Sequence, residues 1–138
     1  MREYIFRGKR KDNGEWVAGD LIQNGKYAAV IPDFPTENDY KKYIVDPDTV
    51  GQFTGLVDKN GKRIFEGDRV VYPDGASYSS YDDYNEGVVD YDEEAMRFYF
   101  TDRWSAEMED FDVVDRVMVD VEIIGNIHDN PELIEGAV

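Results

Sequence analysis

Turn-forming residues recur along this chain at intervals too short for helices, and that spacing constrains the fold more than any other feature. Asp12, Asn13 and Gly14, then Asn24 and Gly25, then Asp58, Lys59, Asn60 and Gly61 supply residues that tolerate positive φ, as tight hairpins require. Between them the side chains alternate. Residues 2–7 set Tyr4 and Phe6 on one face, and residues 15–22 set Trp16, Ala18 and Asp20 opposite Val17, Gly19 and Leu21. A period of two is the signature of strand. Residues 2–22 therefore read as a hairpin, and residues 26–31 add the third strand of a meander. Pro32 and Pro35 end it, residues 32–42 read as an exposed loop, and residues 43–45 as a short strand.

The middle of the chain continues in the same way. Residues 51–57 and 63–65 flank the turn at Asp58 to Gly61, and Glu66, Gly67 and Asp68 turn the chain into an apolar strand at 69–72. Residues 87–91 and 97–101 form another hairpin around a turn at 92–96. This order of turn, apolar strand, long polar loop and aromatic strand is analogous to an SH3-like small barrel, an analogy of fold that carries no function. Residues 73–86, rich in Tyr, Ser and Asp, read as a mobile insertion in it. Residues 104–119 are ambiguous: Met108, Phe111, Val114, Val117 and Met118 suit a helical stripe, whereas Val117, Val119, Val121 and Ile123 alternate. We read the first part as weakly helical or irregular and 119–127 as strand. Asn130 as cap, Pro131 as first residue and Glu132 in the first turn predict a short C-terminal helix through Glu135. The fold class is thus mainly β and hairpin-rich, and Trp16 and Phe53 are expected in its core.

Composition decides which classes of function are open. With 41% hydrophobic and 14% aromatic residues the chain can drive collapse, and 138 residues suit one globular unit. The absence of Cys removes disulfides, thiolate metal sites and cysteine nucleophiles, and it fits a reducing cytoplasm. No secretory signal or bilayer-length apolar run is seen, so no membrane partner is expected. Thirty-one acids against 15 bases give a formal charge of −16, which repels phosphates and disfavours direct nucleic-acid binding. The charge is unevenly placed. Arg2, Arg7, Lys9, Arg10 and Lys11 stand against Glu3 alone in the first eleven residues, while residues 70–96 hold eight acids and no base. A basic arm and an acidic body can be self-complementary between subunits, although a solvated surface explains the same pattern.

No motif for catalysis emerges. His128 is the single histidine and lacks a nucleophile and partner for a triad, and one imidazole without thiolates makes a poor metal centre. The run from Asp58 to Asp68 superficially resembles a calcium loop. However, Gly61 falls at the fourth position instead of the sixth, and Arg69 stands at the twelfth, where an EF-hand needs an acid. Asp90, Asp92, Glu93 and Glu94 sit in a solvated turn that offers no means of separating their pKa values. Gly51 and Gly55 are not followed by the Lys and Ser or Thr of a phosphate loop. Tyr78, Tyr81, Tyr84, Tyr91, Phe98, Tyr99, Phe100 and Trp104 would suit a stacking platform, but such platforms lie in basic grooves. Core packing and a protein interface suit them better. No catalytic residue, cofactor or metal ligand is expected.

A resemblance adds to this reading. Phe6, Arg7, Gly8 and Lys9, then Gly14, Glu15, Trp16, Val17, Gly19, Asp20 and Leu21, resemble the opening of the YopX family of phage and prophage proteins. Asp46, Pro47, Asp48, Thr49, Val50, Gly51, Gln52, Phe53, Thr54, Gly55 and Leu56, followed by Asp58, Lys59, Asn60, Gly61, Ile64, Glu66, Gly67 and Asp68, are similar to its signature. The close, residues 123–133, matches its ending, with His128 where Tyr is usual; the insertion at 73–86 does not match. The resemblance spans nearly the whole chain and suits a single unit over 1–138, within which the pattern of turns and strands sets an N-terminal β-meander and hairpin at 1–57, the SH3-like region at 58–128, and a short helix and tail at 129–138. It also implies a phage or prophage accessory protein of the bacterial host cytoplasm, without assigned activity, that forms homo-oligomers. The expected partners are the protein itself and a host protein. Arg7, Lys9, Arg10, Lys11, Tyr81 and Tyr84 are the candidate oligomer contacts. The alternative is an acidic decoy that mimics nucleic acid to inhibit a host enzyme.

Overall fold

The computed structural model describes residues 3–32, 40–73, 84–101, 105–108 and 111–130. These residues are mainly β, and the chain divides into two units within one strand, between Phe53 and Thr54. Among the described residues no helix is long and apolar enough to cross a membrane.

In the first unit β1 (Phe6–Lys9), β2 (Trp16–Asn24) and β3 (Tyr27–Ile31) form the expected meander, and β4 (Ile44–Val45) pairs with β3. The start of β5 (Gly51–Val57) lies on the other side of β1, with Phe6 opposite Gln52 and Arg7 opposite Gly51. Ala28, Val30 and Val45 are buried, with Val17, Leu21 and Val50 packed on them. Gly8 fits this core by lacking a side chain, because a Cβ would stand 2.8 Å from Val45 Cγ2 and 2.9 Å from its Cβ. The chain reaches β5 through a short 3₁₀ helix, Pro47–Thr49, whose cap Asp46 accepts the Asp48 N–H at 3.1 Å. Thr49 is buried and satisfied: its hydroxyl donates to the Asp46 carbonyl at 2.6 Å and accepts the Lys9 N–H at 2.9 Å.

Two expectations for this unit are corrected. Tyr4 precedes β1 and is 63% exposed, so it shares no strand face with Phe6. Trp16 is half-buried, because the core lies on the Val17 and Leu21 face of β2 and Trp16 points to the other. Phe53 is buried as expected.

The second unit carries the end of β5, β6 (Arg63–Phe65), β7 (Asp68–Pro73), β8 (Tyr84–Asp92), β9 (Arg97–Thr101), β10 (Ala106–Glu107), β11 (Val113–Val114), β12 (Val117–Met118) and β13 (Glu122–Asn126). Five strands form an antiparallel sheet in the order β10-β9-β8-β7-β13. β5 pairs with β6 and, in parallel through Val57 and Val117, with β12. The core gathers Ile64, Val70, Tyr72, Val89, Phe100, Met108, Met118 and Val121. At its centre Tyr72 stacks on Phe100 with ring centroids 5.1 Å apart, and Phe111 meets both edge-on at 5.0 and 5.3 Å. Gly87 lies beneath this stack, where a Cβ would come within 3.1 Å of Tyr72 Cε1 and Phe100 Cβ.

Among the described residues no sheet closes, so the SH3-like barrel is not found there: the five-stranded sheet is open, with β10 and β13 at its edges. Residues 84–86, expected in the insertion, belong to β8 and pair with 71–73; residues 74–83 lie outside the described residues. For the first part of 104–119, read as weakly helical or irregular, the described residues show short strands and turns and no regular helix. Asp115 and Arg116, at φ 50° and 67°, form a tight turn that pairs Val114 with Val117 and Val113 with Met118. The C-terminal helix through Glu135 falls on residues 131–138, outside the described residues.

Burial separates the two aromatic residues in the signature strands. Phe53→Ala is expected to cost about 3–5 kcal/mol in denaturant unfolding, and Trp16→Ala less than half as much. Equal losses would place Trp16 in the core after all.

Candidate functional site

Alternation along β1 separates its side chains by role. Gly8 lies against Val45, so Arg7 and Lys9 fall on the opposite face, with Arg7 paired to Ala18 and Lys9 to Trp16 across the ladder. The Arg7 guanidinium carbon stands 4.7 Å from the Trp16 ring centroid, and Lys9 Nζ 6.0 Å from it. Such cation–π contacts contribute about 0.5–1 kcal/mol each at exposed sites and hold the cations in place. The two cations of β1 therefore lie over an indole on one face of the strand.

The hairpin that follows holds the next cation as firmly. Arg10 grips Asp12 through Nε at 2.9 Å and Nη2 at 2.6 Å, and its guanidinium lies 5.5 Å from the Tyr43 ring centroid. The hydrogen bond from Arg10 holds the Asp12 carboxyl below its ordinary range against an opposing effect of desolvation, with the charges of Arg10 and Lys42 adding to the lowering. Lys11 and Lys42 are exposed beside this pair. Of the expected contacts in the first unit, Arg7 and Lys9 thus share the Trp16 face of β1, Arg10 turns to Asp12 and Tyr43, and Lys11 is exposed in the hairpin turn. Tyr84 opens β8 of the second unit opposite Pro73, and Tyr81 lies outside the described residues.

Charge divides with the units. Residues 1–53 hold eight bases and nine acids, whereas residues 54–138 hold seven bases and 22 acids. Nearly the whole net negative charge therefore belongs to the second unit.

The buried carboxylates of the second unit serve its main chain. Asp58 is fully buried: Oδ1 accepts the N–H groups of Asn60 and Lys62, each at 2.9 Å, and Oδ2 accepts that of Ile123 at 3.0 Å. The main chain closes the same turn, with Asp58 N–H on the Lys62 carbonyl at 2.8 Å and Gly61, at φ 81°, donating to the Asp58 carbonyl at 3.0 Å. The hairpin reading of Asp58 to Gly61 holds. Asp68 Oδ2 accepts the Phe65 N–H at 2.7 Å, and buried Arg69 reaches Glu86 at 2.9 Å. Sequence reasoning missed these three as buried groups. The only signal for them was their place beside glycine turns.

Asp92 Oδ1 accepts from the Glu94 and Ala95 N–H groups in an exposed turn, and the His128 N–H donates to Asn126 Oδ1. Among the described residues no three His, Cys, Asp or Glu side chains gather as they would around a metal ion.

A family model described as YopX protein matches residues 5–135. The crystal structure of protein EF1440 from Enterococcus faecalis is similar at 24% identity with a TM-score of 0.55, covering 97% of this chain and 99% of that one. At that identity the likeness is one of fold. No curated protein matches the chain.

The Arg10–Asp12 pair makes a specific demand on titration. The Asp12 carboxyl should titrate below its ordinary value of 3.8 by carboxyl-carbon NMR. A folded value below the unfolded one contributes stability above the unfolded pKa that is lost as pH falls through the folded one. Arg10→Gln should move the midpoint back up, and an unmoved midpoint would show that Arg10 is not its cause.

Proposed function

The chain belongs to the YopX family, and from that premise we propose that it is a phage or prophage accessory protein, working in the bacterial cytoplasm through protein–protein contact without chemistry of its own. Its first partner is another copy of itself, and a host protein is the second. The supporting observation is the division of charge: a first unit close to neutral, with a cluster of cations on β1 and its turn, and a second unit with 22 acids against seven bases. Unlike surfaces of this kind steer association and fix register. Like-charged whole molecules repel, so the contact also needs desolvated apolar surface.

A second reading draws on the same second unit, whose carboxylates would let it act as a decoy for nucleic acid on a basic host enzyme. Ionic strength separates the two: a decoy's binding weakens steeply with salt, whereas an apolar contact persists.

Light scattering at physiological salt should give a mass well above the 15.9 kDa of one chain. Lys11→Glu combined with Lys42→Glu, both at exposed positions, should weaken assembly more at low salt than at high. A monomer at every salt and concentration would overturn self-assembly, and an oligomer indifferent to the charge reversal would remove its electrostatic half.

A further inference from the structure

The chain contains three Asn–Gly steps: Asn13–Gly14, Asn24–Gly25 and Asn60–Gly61. Such a step is open to spontaneous deamidation. The glycine main-chain nitrogen attacks the Asn Cγ, the bond from Cγ to the side-chain nitrogen breaks, and ammonia leaves. Water then opens the cyclic imide at either carbonyl, giving aspartate or isoaspartate. Glycine allows the attack because it has no Cβ to crowd its nitrogen. An N–H committed to a hydrogen bond must first give that bond up.

The fold treats the three steps differently. The Gly14 N–H donates to the Arg10 carbonyl at 2.9 Å, while Asn13 Oδ1 accepts the Glu15 N–H at 2.9 Å, so both the nucleophile and its target are engaged. The Gly61 N–H donates to the Asp58 carbonyl at 3.0 Å, in a turn that the Asp58 carboxylate fastens again through Asn60 and Lys62. Gly25 opens the two-residue loop between the paired Asn24 and Tyr27, at φ 60°. Its N–H makes no hydrogen bond among the described residues, and Asn24 is exposed.

We propose that Asn24 is the site of spontaneous deamidation in the folded protein, with water as the sole co-reactant. Either product adds a negative charge to the first unit. The isoaspartate product also inserts a main-chain carbon at the end of the β2–β3 ladder, where Asn24 pairs with Tyr27.

The whole protein is aged in mildly alkaline buffer and, in parallel, in concentrated denaturant. Peptide mapping by mass spectrometry and enzymatic methylation of isoaspartate then follow each site. In the folded protein the Asn24 peptide should convert about tenfold faster than the other two, the factor that one retained hydrogen bond of ~1.4 kcal/mol supplies. In denaturant the three rates should converge. Equal rates in the folded protein, a faster Asn13 or Asn60, or an Asn24 that stays intact while the denatured sample converts would each overturn the proposal. Asn24→Gln should remove most of the isoaspartate formed by the folded chain, and a signal that survives it would count equally against the assignment.

Discussion

The Asp58 carboxylate, fully buried and holding three main-chain N–H groups, is the interaction on which the second unit depends. Two of its bonds shape the turn between β5 and β6, and the third reaches Ile123 in β13, 65 residues away. Lys59 adds a main-chain bond beside it, from its N–H to the Val121 carbonyl at 2.9 Å. Strands from both sheets of this unit are thereby fixed at one corner. Their side chains then share one core, in which Ile64 and Met118 from one sheet meet Val70, Tyr72, Val89 and Phe100 from the other. Removing this buried carboxylate would take the acceptor from three part-buried main-chain amides at once, and each amide left without a partner costs on the order of 1 kcal/mol or more.

Where local chemistry decides the conformation, the sequence was legible. Asn24 and Gly25 marked a two-residue loop, and Asp58 to Gly61 marked a turn, because positive φ and side-chain-to-backbone bonds are properties of a few adjacent residues. Residues 105–119 were not legible in the same way. Met108, Phe111, Val114 and Met118 satisfy a helical stripe as well as a β pattern, and the turn that decides between them uses Asp115 and Arg116 at positive φ with no glycine to announce it. The barrel analogy is not met among the described residues for a further reason. Strand order can be guessed from turns, but closure depends on which edges meet, and there β10 and β13 are the edges of an open sheet.

The candidate surface was legible in composition and not in arrangement. Five bases near the start were plain, but their reading as an arm overlooked that Arg7, Lys9 and Trp16 fall on one face once β1 pairs with β2. The same register explains the misplacement of Trp16. Alternation put Trp16 and Val17 on opposite faces, and only the seat of Gly8 against Val45 determines which of those faces is the core. Asp58 shows the limit most sharply. Its turn was read correctly, while its bond to Ile123 leaves no local mark in the sequence. The family match over residues 5–135 agrees with the resemblance drawn from the signature residues.

The most direct test of this account compares two carboxylates with the same local role and different burial. Asp58 and Asp92 each accept main-chain N–H groups in a hairpin turn, but Asp58 is fully buried and Asp92 is half-buried in an exposed turn where water can take its place. Denaturant unfolding of Asp58→Ala should show a loss on the order of 3 kcal/mol or more, against less than about 1 kcal/mol for Asp92→Ala. Similar small shifts in both midpoints would contradict the claim that the Asp58 carboxylate holds the second unit together.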